Sequence, residues 1–221
     1  MTPFAMTSPS QFLPPGPPPL SSARYARAIA EVRALGSATS TVRTAEQTQT
    51  AVFWQDDTPA GMWNRVADQL ALADHVPFLQ NARLLALANI ALADATIGIW
   101  NAKNTYNLWR PVTAIRATTD PSWTPLLPTP AFQEYPSGHS GASNAAASVL
   151  ASFYGNRTSF TVTSAGLPGV QRDFTSFSAA VRQVENARIY AGFHFRFSVI
   201  DGAALGAKVA RYVTETPMRP R

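Results

Sequence analysis

A chain of 221 residues and 23.8 kDa is long enough to bury a sizeable core, and one domain is the simplest expectation. With 46% hydrophobic and 14% charged residues it is neither a disordered tail nor a coiled coil, and the absence of cysteine excludes disulfides, thiolate metal sites and thiol catalysis. The excess of 18 Lys+Arg over 13 Asp+Glu leaves +5. That balance suits a nucleic acid, an acidic surface or a small anionic ligand.

Seven of the 18 prolines fall in residues 1–20, so this stretch reads as an extended Pro-rich arm or linker with little to pack. A helical domain is expected over 21–216, followed by a short tail at 217–221. Apolar spacing predicts helices over Ser22–Leu35, Ala60–Val76 and Phe78–Trp109. The most apolar stretch, Leu84–Trp100, carries Asn89 and Asp94 and is too short for a bilayer, so it reads as a core helix. The N-terminus lacks the basic and apolar regions of a signal peptide, and the compartment stays open. Between Asp120 and Pro136 stand five prolines, at 121, 125, 128, 130 and 136, which predict a long surface loop. An Ala-rich helix over Ser140–Tyr154, a Ser/Thr/Gly-rich connection and helices near Thr175–Tyr190 and Phe195–Val213 complete an all-α bundle of about six helices.

Three clusters carry chemistry. Lys103 and Arg110 stand seven apart at the end of the long predicted helix, where Pro111 turns Arg110 out of helical geometry. Their neighbours Trp100, Tyr106, Leu108 and Trp109 are poor company for a solvated basic stripe. Tyr135-Pro136-Ser137-Gly138-His139-Ser140 lies where the Pro-rich loop feeds a helix. Free N–H groups and the positive end of the helix dipole favour an anion there, and His139 can exchange a proton near neutral pH. The third cluster, Arg188, Gly192 and His194, says little alone. His75 has no polar neighbours of interest and reads as structural.

In order, Lys-x6-Arg-Pro, Pro-Ser-Gly-His and Arg-x5-His resemble the superfamily joining vanadium-dependent haloperoxidases with type 2 phosphatidic acid phosphatases and bacterial acid phosphatases. The resemblance runs from about Ser22 to Val213. Phe53-Trp54 near an acidic pair, Ala93-Asp94-Ala95 and Gly192-Phe193-His194-Phe195-Arg196-Phe197 look more like the catalytic bundle of bacterial haloperoxidase-like proteins.

The resemblance implies a vanadate cofactor, with phosphate as competitor or substrate analogue. Lys103, Arg110, Ser137, Gly138 and Arg188 would hold the vanadate oxygens, His194 would be the metal ligand, and His139 the acid/base. Phe132 and Trp100 would line the pocket, and Asp57, beside Asp56, would stand behind the last Arg. The implied partners are vanadate, phosphate, halide and hydrogen peroxide; neither nucleic acid nor membrane is expected. The implied function is oxidation of halide by peroxide to a hypohalous species. The alternatives are a phosphoesterase with a histidine nucleophile and a non-catalytic oxyanion-binding domain. The phosphatase pattern places Asp four residues after the last His; here that position is Ser198, with Asp201 one turn later. Two-bundle relatives imply a further N-terminal bundle or a homo-oligomer against this domain.

Overall fold

The computed structural model describes residues 1–55 and 57–216; the expected tail at 217–221 lies outside the described residues. Eight helices and one hairpin run in the order α1 (Ala23–Leu35), α2 (Ala45–Phe53), α3 (Pro59–Ala73), α4 (Phe78–Tyr106), α5 (Pro111–Thr118), α6 (Gly138–Tyr154), β1 (Phe160–Thr163), β2 (Gln171–Phe174), α7 (Phe177–Tyr190) and α8 (Arg196–Glu215). Local chemistry sets most boundaries. Ser22, Thr44, Thr58, Ser137 and Ser176 each accept a first-turn N–H at a helix start, and Thr44 with Gln47 closes a full capping box. Pro59 and Pro111 occupy the opening position, where no N–H is missed.

The helix α6 is the axis of the bundle. It packs on α8, α4, α7 and α3. Its Ala-rich faces let these neighbours come close, and its core partners include Trp63 and Phe177, the latter stacked on Phe160 of the hairpin with centroids 4.9 Å apart. The hairpin pairs Phe160 with Phe174 in antiparallel register. A second, smaller cluster of Tyr25, Trp123, Tyr135, Phe195 and Phe197 joins α1 and α5 to the start of α8.

Three expectations change and one, the core helix, holds. The helix predicted through Trp109 ends at Tyr106, because Asn107 adopts φ +45° and caps it in the left-handed region. Lys103 therefore belongs to α4, and Arg110 to the extended link before α5. By length and composition α4 is long and apolar enough to cross a bilayer, yet one face of it, from Leu84 through Ala91, Ala95 and Ile99 to Lys103, is buried inside the bundle, as in a core helix. The arm at 1–20 does pack. Phe4, Ala5 and Met6 donate their N–H groups to the fully buried Asp94 carboxylate at 2.7, 2.8 and 2.8 Å, Met6 enters the core, and the Tyr106 hydroxyl donates to the Pro14 carbonyl. A buried carboxylate needs such donors, and backbone N–H groups supply them whatever the arm's composition. Finally, the Pro-rich loop is not all surface, since Trp123, Glu134 and Tyr135 are buried.

Candidate active site

The three sequence clusters meet at the N-terminal end of α6. Lys103, in the last turn of α4, is buried and donates Nζ to the carbonyls of Gln133 at 2.7 Å and Glu134 at 2.9 Å. Arg110, extended before Pro111, donates Nε to the Phe132 carbonyl at 2.7 Å and Nη1 to the Phe193 carbonyl at 3.0 Å. Thus the end of the Pro-rich loop offers three successive carbonyls, free because no helix or sheet uses them, to two buried cations. Arg188, at the end of α7, donates Nη1 to the Trp54 carbonyl and the Gln55 side chain, both at 3.3 Å, and lies 4.8 Å from the centroid of the Phe193 ring.

Ser137 caps α6. Its Oγ accepts from the Ser140 hydroxyl at 2.9 Å, which leaves its own hydroxyl hydrogen for a further acceptor. Beside it, a Cβ added at Gly138 would meet nothing within 4 Å. The surface under the first-turn N–H groups is therefore open.

The His194 ring is fixed from both sides. Nδ1 lies 2.8 Å from Glu134 Oε1 and Nε2 lies 3.2 Å from Arg110 Nη1. Since arginine can only donate, Nε2 carries the lone pair, and a neutral ring then carries its hydrogen on Nδ1, facing Glu134 Oε1. Glu134 Oε1 also accepts the Phe195 N–H at 2.9 Å.

Electrostatically the site is a crowd of cations around one carboxylate. Burial, followed by the nearby Arg110 charge, pushes Lys103 down to about 7, and burial with the same neighbour lowers Arg188 to about 9. Burial lowers Arg110 to about 10, so both guanidiniums keep their charge at neutral pH. Both histidines lie well below their ordinary value, first through burial and then through the charges of Arg110, Lys103 and Arg188, so both are neutral at pH 7. Burial raises Glu134 to about 7, against the opposing pull of the Phe195 N–H and the two cations.

Arg110 Nη2, Arg188 Nε and His139 Nε2 are all buried without a hydrogen-bond partner. One such orphan contributes from each of the three sequence clusters. The two guanidinium nitrogens are donors of the kind that an oxyanion satisfies, and the neutral His139 offers a lone pair beside them.

A family profile, the VCPO second helical-bundle domain, matches residues 83–220. The chain belongs to the vanadium-dependent haloperoxidase family. Vanadium chloroperoxidase of Curvularia inaequalis is 29% identical over 169 residues, covering 62% of this chain and 28% of that protein. The fold superposes on a bacterial vanadium-dependent iodoperoxidase with a TM-score of 0.87 and 33% identity over 96% of this chain and 55% of the other. An apo bacterial vanadium-dependent chloroperoxidase, 18% identical, shares the fold with a TM-score of 0.81 over 97% and 53% of the two chains. The haloperoxidase-like chain thus spans about half the length of these solved relatives, and less of the fungal one.

Within this haloperoxidase-like site, Trp100 and Phe132 pack together with centroids 5.0 Å apart, both partly exposed. The Phe132 ring lies 4.8 Å from the Arg110 guanidinium and 5.3 Å from Lys103 Nζ. Asp57 is placed differently from the expected role: its carboxylate pairs with Arg65. Arg188 instead finds neutral acceptors, and the main chain of Asp57 makes a hydrogen bond that raises His139. Asp56 is not among the described residues. Asp201 accepts from the Tyr135 hydroxyl at 2.7 Å, so it does not stand in for the carboxylate missing at Ser198. His75 lies on the surface with φ +50°, closing α3. Glu134 was invisible to a search by spacing from His194, because it approaches from the loop. Its one sequence signal was an acidic residue beside the Pro-Ser-Gly-His motif.

Proposed function

We propose that this domain binds vanadate and uses it to oxidise halide with hydrogen peroxide to a hypohalous species. The two orphaned buried guanidinium donors, with the unpartnered His139 Nε2 beside them, carry the reading. Arg110 Nη2 and Arg188 Nε have no acceptor of their own, and Lys103, the Ser137 hydroxyl and the open first turn at Gly138 add donors of the kind that hold the oxygens of a tetrahedral anion. His194 Nε2 offers its lone pair as the ligand atom once Arg110 Nη1 turns to the anion. Vanadate, when bound, would supply Lewis-acid activation of peroxide without change of oxidation state. His139, neutral and with Nε2 free, would take the proton of incoming peroxide and return it to the departing oxygen. Phe132 and Trp100 would shield the incoming halide from water at the mouth.

A second reading, phosphoester hydrolysis, is favoured by one observation. A histidine nucleophile needs an orienting group, and the Glu134 carboxylate on His194 Nδ1 is one. There Nε2 would attack phosphorus as the bond to the alcohol oxygen breaks, that oxygen would take the proton of a His139 protonated on binding of the anion, and water, losing a proton back to His139, would then cleave the phosphohistidine.

The test is a pair of assays on the same preparation: halogenation of a phenolic dye with orthovanadate, peroxide and halide, and hydrolysis of p-nitrophenyl phosphate without vanadate. Halogenation that phosphate inhibits is expected. Phosphatase turnover with no halogenation would replace the first reading by the second, and phosphate binding with neither activity would leave an oxyanion-binding domain. His194→Ala is expected to abolish vanadate binding while the far-ultraviolet circular dichroism stays that of the parent. Loss of helix in that variant would instead make His194 a core residue.

A further inference from the structure

From the geometry around His194 we infer that Glu134 is its positioning residue, a loop-borne carboxylate that takes the place of the acid absent at position 198. The inference rests on the reading of His194 as the ligand or nucleophile. Glu134 joins the two sides of the site. Its main-chain carbonyl accepts from Lys103 Nζ at 2.9 Å, while its side chain meets His194 Nδ1 at 2.8 Å and the Phe195 N–H at 2.9 Å. The residue is fully buried, so its carboxylate has no water to turn to. Both hydrogen bonds fall on Oε1, leaving Oε2 without a partner. The ring is thereby held with Nε2 towards the cations.

Ser198 explains why the swap is exclusive. Its Oγ lies 3.5 Å from His194 Nδ1 and 3.5 Å from the Glu134 carbonyl oxygen. A longer acid at this position, in the first turn of α8, would reach the same Nδ1 hydrogen. It would also place a second buried carboxylate against the first, and like charges in one buried site cannot both stay ionised. One acid therefore belongs at 134 or at 198, and this chain uses 134.

Four variants test this in the full chain: Glu134→Gln, Glu134→Ala, Ser198→Asp and Glu134→Ala/Ser198→Asp. The first readout is the proton NMR signal of His194 Hδ1 in the vanadate-free protein, a downfield signal slow to exchange with water when held by a carboxylate. It should persist but move upfield in Glu134→Gln, whose amide oxygen keeps the geometry without the charge. It should vanish in Glu134→Ala and return in the double variant. The second readout is orthovanadate affinity, expected to fall about 10–100-fold in Glu134→Ala, as for other carboxylate partners of ligating histidines. The double variant should recover most of that loss, while Ser198→Asp alone should bind more weakly than the parent. Circular dichroism shows which variants fold, and Glu134→Gln keeps the test open if Glu134→Ala does not. An unchanged Hδ1 signal in folded Glu134→Ala, or a double variant no better than Glu134→Ala in both readouts, overturns the inference. If the Hδ1 pattern holds but the parent binds no vanadate, the cofactor reading fails and the positioning role stands.

Discussion

Gly138 and Gly141 stand three positions apart on α6, yet the two glycines exist for opposite reasons. A Cβ at Gly138 would meet nothing within 4 Å, whereas one at Gly141 would come within 2.6 Å of the Ile99 side chain and 2.9 Å of the Gly202 carbonyl. Gly206 of α8 is tighter still, with a Cβ only 2.0 Å from the Gly141 carbonyl oxygen. Gly202, one turn earlier, sits against the Ser137 carbonyl. The first turn of α6 is open at Gly138, and the next is a contact that fixes where that opening lies. Close packing of α8 on α6 is thus the physical reason that Ser137, His139 and His194 share one site.

The largest effect should come from filling the tight contact. Gly206→Ala forces backbone apart in a core with no slack and should cost about 3 kcal/mol or more, lowering Tm by roughly 6–12 °C for a chain of this size. Thermal melts check it. An unchanged Tm would mean that α6 and α8 separate freely, and the contrast between the two turns would collapse.

Next is the open turn when it is filled by its ligand. Orthovanadate at about a hundred times its Kd should stabilise the fold by about 2.7 kcal/mol, a rise in Tm of roughly 5–10 °C. The sharper version compares ligands. Phosphate should protect through the same donors, and chloride at equal ionic strength should not. Equal protection by chloride would reduce the cradle to a general charge effect.

Smaller again is the pH dependence of anion binding. Lys103, pushed down to about 7, is charged below that pH and neutral above it. Sulfate carries a constant charge across this range, so its affinity should fall as pH rises from 6 to 8, by up to about tenfold or ~1.4 kcal/mol. In linkage terms the folded value lies below the unfolded 10.5, so the Lys103 contribution to stability of the unloaded protein improves as pH rises from about 7 towards 10.5. Lys103→Met should flatten the sulfate titration. A profile that keeps its slope in that variant would assign the titration to another group.

How much of this was legible in the sequence differs between the same two regions. That the three clusters meet was readable because their chemistry is local: Pro111 sets Arg110, Ser137 caps α6, and the motifs follow one another in a recognisable order. The helices with strong caps or long apolar faces were readable too. Missed were α2 and α5, which are short and depend on caps and tertiary contacts, and the hairpin, whose four-residue strands hide in a Ser/Thr-rich run. The hold of Asp94 on Phe4, Ala5 and Met6 spans about 90 residues, and that of Glu134 on His194 spans 60. No periodicity encodes such contacts. They are fixed only once the bundle closes, so spacing along the chain from His194 points to 198 and 201 and not to 134.

The smallest effect on stability should be the most informative about function. Ala at Gly138 meets open space, and the position opens a helix, so Gly138→Ala should leave stability unchanged or raise it by about 0.5 kcal/mol through the smaller entropy of the unfolded chain. The same methyl group would stand where the oxygens of an anion approach the first-turn N–H groups, so sulfate and orthovanadate affinity should fall at least tenfold, or about 1.4 kcal/mol. A helix-propensity change alone would not separate these two readouts. Thermal melts with and without ligand measure both at once. A variant that is stable and still binds would place the anion away from Gly138, and the cradle would then rest on Arg110, Arg188 and the histidines alone.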